Sequence, residues 1–341
     1  MRRVEPLVQL LGPCTLVVAT GLLGTAASLS TRTYFITALI NVAIVVALYL
    51  FIGNSGVLSF GHISFVAVGA WTAGVLAVPV APKEAIMPGL AHVLRTTTVG
   101  NAPSLAIGAA VGGVFALVVG LPLMRLSGLT AGIATFAVLE ITHNILRYYG
   151  KIGPGLNAFS SVPATTGLLQ ATVGATIAIV TAFVYQRTRY GRLLRAARDD
   201  VAAARAVGIS VYRQRLIAFA LSGALAGFAG GLYIHLLPLG VEDLYLDLTF
   251  ITLAMLVIGG ASSLLGAVVG ALAVSGVNYY LATAENGGWL KNHPGTHLVV
   301  VGAFMALVIV ARPSGLTGGR EVAIPRLRRL RTAPQSDKVQ L

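Results

Sequence analysis

The chain has 341 residues, 56% of them hydrophobic and 10% charged, with a formal net charge of +13. Ordinary globular proteins carry about 25% charged residues, so this chain lacks the polar surface to cover a soluble core, and an all-α polytopic membrane protein is the class that fits. The basic residues cluster in loops between apolar runs and no nucleic-acid-binding module accompanies them, which argues against nucleic acid as a partner.

A spanning helix needs about 20 apolar residues. The first candidate covers 7–29. It follows Met1-Arg2-Arg3 like a signal peptide but is longer than a signal core, so an uncleaved first helix is expected. It holds Cys14, the chain's one cysteine. That leaves no intramolecular disulfide and no C-x-x-C site, and the thiol reads as a small buried hydrophobe.

Candidates two and three, 35–52 and 60–79, are joined by Gly53-Asn-Ser-Gly-Val-Leu-Ser-Phe-Gly-His62. Asn54, Ser59, Gly61 and His62 in so short a stretch predict irregular backbone at membrane depth. Such backbone is tolerated only where protein or water covers it, and broken helices of this kind line transport sites. A tight turn between two spans is the plainer alternative. A long connection, 80–103, follows.

Candidates four and five cover 104–124 and 129–148. Glu140 sits midway along the fifth, with His143, Asn144 and Arg147 on the same helical face. Intramembrane carboxylates are costly and face the bundle interior or water. The four residues therefore line a substrate path or tie the helix to its neighbours, and the two readings weigh equally.

The sixth candidate, 168–186, leads into residues 187–215, which hold eight of the 24 basic residues. Within them, Asp199 and Asp200 open a short helix over 201–207 and Gly208 stops it. Val201, Ala204 and Gly208 would share a small-residue face able to seat in another protein's cleft. The remaining candidates are 216–237, 248–261, 264–283 and 297–311. The eighth, with 14 residues, reaches only about 21 Å, and Gly259 and Gly260 break it from the ninth. This break and the one at 53–62 are comparable features in the two halves, without a convincing repeat.

Pairs spaced by four, Gly108/Gly112, Gly223/Gly227/Gly231 and Gly266/Gly270, put flat strips on helix faces. Tight packing within the chain is the favoured reading of these strips.

Ten spans put both termini on one side. That side collects 18 basic residues and the other five (Arg32, Lys83, Arg95, Lys151 and Lys291). The termini and the 187–215 loop are therefore expected in the cytoplasm, with Glu242, Asp243 and Asp247 outside. Residues 1–316 form the transmembrane domain. The basic stretch 317–341 is expected to be a disordered tail, with anionic lipid a secondary contact.

There is no G-x-x-x-x-G-K-[ST], H-E-x-x-H or G-x-S-x-G, and six histidines lie scattered. No enzyme, metal site or cofactor is expected.

Together these residues resemble the permease subunits of branched-chain amino-acid ABC transporters, of the LivM kind. The stretch from Gly53 to His62 is similar to that family's G-x-x-G-x-L-S-x-G-H. Residues 190–209, the Gly259-Gly-Ala-Ser-Ser-Leu-Leu-Gly-Ala-Val-Val-Gly-Ala271 segment and Arg312-Pro-Ser-Gly-Leu316 also fit. Gly150-Lys-Ile-Gly-Pro-Gly-Leu-Asn157 departs from the family's G-G-P-N-G-L-like stretch. The resemblance implies an importer subunit working with a second, homologous permease, two cytoplasmic ATP-binding subunits and an extracytoplasmic substrate-binding protein. It makes the segment with Asp199, Asp200, Ala203, Ala204 and Gly208 the coupling helix on an ATPase. Closely similar permeases for urea or short amides remain an alternative, as do an ion-coupled carrier and a non-transporting scaffold.

Overall fold

The computed structural model describes residues 4–287, 296–311 and 315–318. Among these residues there are helices and turns only. Fourteen α-helices run in order: α1 (Val4–Thr25), α2 (Leu29–Ser55), α3 (His62–Ala77), α4 (Val80–Ile86), α5 (His92–Thr96), α6 (Asn101–Leu123), α7 (Leu129–Tyr148), α8 (Leu168–Arg187), α9 (Arg189–Asp199), α10 (Val201–Ala206), α11 (Val211–Ile234), α12 (Leu246–Gly259), α13 (Leu264–Gly287) and α14 (Thr296–Ala311). A 3₁₀ turn, Glu242–Leu244, precedes α12.

Ten of these correspond to the ten expected spans. Among the described residues, six are long and apolar enough to cross a membrane. The chain is a multi-pass membrane protein. Several boundaries move. The first helix stops at Thr25 rather than 29, and the second begins at Leu29 rather than 35. The seventh starts at Val211 rather than 216, because polar Tyr212, Arg213 and Gln214 extend the helix beyond its apolar run.

α2 occupies the centre. Its run from Val42 to Ser55 is buried without interruption, enclosed by α1, α8, α11, α12 and α13. Ile44, Val45 and Val46 are poor helix formers in water. Inside a bilayer the backbone has to satisfy its own hydrogen bonds, so the helix forms regardless.

Glycines bring α3, α6 and α11 together. A Cβ at Gly227 would lie 2.5 Å from the Gly108 carbonyl oxygen, and one at Gly69 would lie 2.3 Å from the Gly227 Cα. Gly266 and Gly270 seat against Gly259 across the α12–α13 hairpin in the same way. The strips spaced by four thus work within this chain, as favoured.

The bundle has two distinct ends. At the arginine-bearing end, Arg187 donates to Gln9 (2.7 Å), and Thr317 donates to the Gly259 carbonyl (2.8 Å). The first helix and the strap after α14 therefore reach the ends of α8 and α12, at the same end of the bundle as α9 and α10. At the far end, Tyr279 meets Tyr34 with ring centroids 4.5 Å apart. Residues 80–103, read as a long connection, instead carry α4 and α5. The buried Lys83 amine ties them by donating to the Leu94 (3.0 Å) and Thr97 (2.7 Å) carbonyls. The expected tail beyond 318 and Lys291 lie outside the described residues.

Candidate transport site and coupling segment

The α2 helix ends in a left-handed turn at Gly56 (φ 70), whose N–H bonds to Ile52 at 2.9 Å. Residues 56–61 are then irregular, and α3 begins at His62. Protein covers Val57, Ser59 and Gly61, whereas Gly56 and Leu58 are exposed. Ser55 Oγ accepts from the Val57 N–H (3.1 Å), and Thr135 Oγ1 on α7 accepts from the Phe60 N–H (3.1 Å). Gly61 lies so close to α7 that a Cβ would sit 2.3 Å from the Thr135 carbonyl oxygen.

His62 is 1% exposed among Phe51, Phe65 and Phe219. Its Nε2 lies 2.7 Å from Ser222 Oγ on α11, and its Nδ1 lies 2.8 Å from Ser59 Oγ. Ser222 donates its own proton to the Ala47 carbonyl of α2 (2.7 Å). His62 therefore donates through Nε2–H and accepts from Ser59 at Nδ1. This chain of bonds joins α2, α3 and α11 at one point. Asn54 is wholly buried; its amide N–H donates to Leu50 (2.9 Å), and its Oδ1 has no partner among the described residues.

The expected polar face of α7 is present. The Glu140 carboxylate accepts from Asn144 (2.7 Å) and from the Tyr245 hydroxyl in the turn before α12. His143 is buried and stacks on the Tyr245 ring, with centroids 3.8 Å apart. Arg147 pairs with Glu242 at 2.6 Å, and His143 Nε2 stands 3.6 Å from the same carboxylate oxygen. This is a knot between α7 and the α11–α12 turn, yet it is not closed over. Asn144 is exposed, and it lies with Ile133 and Ile141 on a surface that no other described element covers.

On another side of α7, Thr142, Ile145 and Leu146 face α3 (Val68, Trp71, Val75) and α6 (Ile107, Val111) across a largely apolar groove of about 440 Å³.

Gly259 and Gly260 are not beside Glu140. They end α12, whose 14 residues put about 20 Å between them and Tyr245. Instead they meet the end of α2, since a Cβ at Gly53 would fall 2.8 Å from the Ala261 carbonyl oxygen. The strap closes over the break, with the Leu316 N–H bonded to Ile258 at 2.7 Å. The two glycine-rich breaks are therefore neighbours at the arginine-bearing end.

In the polar loop, Asp200 caps α10 by accepting from Ala202 (2.8 Å) and Ala203 (3.0 Å). Gly208 at φ 80 ends that helix, as its position required. Two expectations are corrected. Asp199 closes the preceding helix, α9, rather than opening α10. The approach, 189–199, is itself helical, because Thr188 caps it (3.2 Å to the Gly191 N–H) and Leu194 and Ala197 are buried beneath it. The expected small-residue face of Val201, Ala204 and Gly208 also differs. Ala204 is 4% exposed, packed with Ala197 and Val211, because the chain reverses at Asp200 and folds α10 onto α9. The outward residues are Ala202, Ala203, Arg205, Ala206, Val207 and Gly208.

Sequence reading missed four functional candidates: Ser222, Tyr245, Arg195 and Arg198. The first two have partners more than a hundred residues away. The two arginines were counted only as charge, although their spacing of three puts them on one face of α9.

A family model described as the permease component of branched-chain amino acid transport systems matches residues 30–309. The chain is 33% identical over 138 residues to a probable branched-chain amino acid transport permease protein LivH of Methanocaldococcus jannaschii, covering 39% of this chain and 42% of that protein. It is 25% identical over 300 residues to the high-affinity branched-chain amino acid transport system permease protein LivM of Escherichia coli, covering 78% and 64%. A 129-residue match, 31% identical, covers 36% of this chain and 33% of the xylose transport system permease protein XylH of Haemophilus influenzae. The chain thus spans less than two thirds of the length of the first two relatives. No solved structure matches.

Proposed function

The chain belongs to the family of permease components of branched-chain amino acid transport systems, and on that premise we propose that it is one membrane-spanning half of an ATP-driven importer in the cytoplasmic membrane. A second, homologous permease completes the channel. Two ATP-binding subunits dock at the arginine-bearing end, which is cytoplasmic together with both termini. An extracytoplasmic substrate-binding protein docks at the far end. The observation that carries this reading is the α9–α10 segment. It is a polar two-helix projection, capped by Thr188 and Asp200, that exposes small residues on a chain with no nucleotide-binding loop in its sequence.

The polar face of α7 supports a place for the substrate path. A carboxylate at bilayer depth does not face lipid. The exposed surface holding Glu140 and Asn144 is therefore read as the lining of the path against the second permease. Branched-chain or related hydrophobic amino acids are the cargo, a reading that the largely apolar lining of the nearby groove supports over urea or short amides.

Reconstitution with the ATP-binding and substrate-binding subunits tests the proposal. Uptake of labelled leucine should require ATP, and labelled urea should stay outside. Uptake that persists without the ATPase and stops with an ionophore would establish the ion-coupled carrier instead.

A further inference from the structure

Three arginines of the 187–215 segment reach backbone carbonyls, two of them in the last turn of a helix. Arg195 donates to the Gln186 carbonyl at the end of α8 (2.6 Å). Arg215 donates to the Leu126 carbonyl just past α6 (3.3 Å). Arg198 donates to the Gly53 carbonyl in the last turn of α2. The last four carbonyls of a helix have no partner within it, and they carry the negative end of its dipole. A guanidinium supplies both the donor and the charge that such an end lacks. These residues therefore do more than mark a side of the membrane.

Arg198 differs from the other two in what lies beyond its acceptor. Gly53 belongs to the helix at the centre of the bundle and abuts the α12–α13 break at Ala261. The stem of Arg198 runs against Gly56, where a Cβ would fall 2.9 Å from its Cγ. Gly56 opens the irregular segment that ends at His62. The far end of that segment is pinned to α7 by Thr135 and to α11 by Ser222. On the other side of the link, α9 and α10 are packed as a unit through Ala197 and Ala204 and joined by the Asp200 N–H to Ala196 carbonyl bond (3.3 Å). A push on α10 therefore has a short route to residues 56–61, and the route passes through one side chain.

We propose that Arg198 is a positioning residue for transport: its bond to the Gly53 carbonyl ties the α9–α10 segment to the last turn of α2 and delivers that segment's movement to residues 56–61. The proposal rests on the reading of α9–α10 as the ATPase-docking segment.

The test uses the full importer with Arg198→Met, Arg198→Lys and, as a charge control on the same helix, Arg192→Met. Two quantities are read. One is substrate moved per ATP hydrolysed. The other is the labelling rate of a single thiol placed by Leu58→Cys, in a Cys14→Ser background, compared between resting and vanadate-trapped complexes. Leu58 is exposed within the irregular segment. With arginine at 198 the labelling rate should differ between the two states. Arg198→Met should still co-purify with the ATP-binding subunits and hydrolyse ATP, but with transport per ATP lower by roughly fivefold or more and equal labelling in both states. Arg198→Lys, a point charge on a flexible stem, should lose roughly twofold. Arg192→Met should match the unsubstituted protein.

Unchanged transport per ATP and unchanged state-dependent labelling in Arg198→Met overturn the proposal. So does an Arg192→Met loss equal to that of Arg198→Met, which would make bulk charge the cause. So does an Arg198→Met chain that inserts but no longer binds the ATP-binding subunits, which would make the residue structural. If Arg198→Met does not accumulate, an Arg198→Lys protein identical to wild type in both assays overturns it. Failure of the unsubstituted chain to bind ATP-binding subunits is a different result and removes the underlying functional reading.

Discussion

The hydroxyl of Tyr245 donates to the carboxylate of Glu140, and the Tyr245 ring lies flat on His143 one turn further along α7. One aromatic residue from the α11–α12 turn thus holds two polar residues of a spanning helix. The carboxylate stays at the edge of an uncovered face and is not sealed inside the chain.

This arrangement separates path lining from structural tie. Glu140→Gln keeps the shape and removes the charge. It is expected to lower substrate uptake by roughly tenfold, the equivalent of one charge-assisted hydrogen bond, with membrane levels unchanged on immunoblot. Tyr245→Phe cuts only the tie and should lower the melting temperature of the detergent-solubilised protein more than it lowers uptake. Full uptake by Glu140→Gln would leave the carboxylate a structural role alone.

Ser222→Ala removes the acceptor of His62 Nε2–H and strands that donor among three phenylalanines. An unpaired buried donor costs about 1–3 kcal/mol. Thermal unfolding of the purified chain should show that loss, whereas Ser59→Ala, which strands only the Nδ1 acceptor, should cost less.

Gly227→Ala places a Cβ 2.5 Å from a backbone oxygen of α6. Backbone cannot swing away as a side chain does, so overpacking of about 1–3 kcal/mol is expected. The readout is a lower yield of monodisperse protein on size exclusion. Gly276→Ala, with nothing near the added carbon, is the matched control.

In the proposed coupling segment, Ala203→Trp changes an outward residue and Ala204→Trp an inward one. The first should abolish co-purification of the ATP-binding subunits with membrane levels intact. The second should lower the membrane level itself. Equal co-purification by Ala203→Trp and wild type would move the docking surface elsewhere.

Lys83→Met leaves the Leu94 and Thr97 carbonyls without their donor. Limited proteolysis of the purified chain should then cut within residues 80–100 several times faster, while the spanning helices remain protected. An unchanged digestion pattern would show that Met87 and Leu90, both buried, hold this cap without the lysine.

The spans were legible because a bilayer leaves the backbone one local solution. A run of about 20 apolar residues closes its hydrogen bonds within itself as a helix, whatever its neighbours do. The α10 helix was legible for a similar reason, since Asp200 and Gly208 act on backbone groups within three or four residues of themselves. The glycine strips showed where helices approach closely. They did not show that Gly227 meets Gly108.

Other features depended on elements distant in sequence. That α2 is central does not follow from its hydropathy, because other spans are also strongly apolar and only packing decides which one they surround. The inward turn of Ala204 depends on where α9 folds back, and the pairing of Glu140 with Tyr245 spans 105 positions. Arg198 was one charge among eight until the end of α2 was placed beside it. Sequence alone determined which long apolar segments are helical, because that choice rests on local hydrogen bonds, but it left α4 and α5 unread and the starts of α2 and α11 five or six residues off. The tertiary structure decided which face of each helix meets which partner, because that choice belongs to long-range packing.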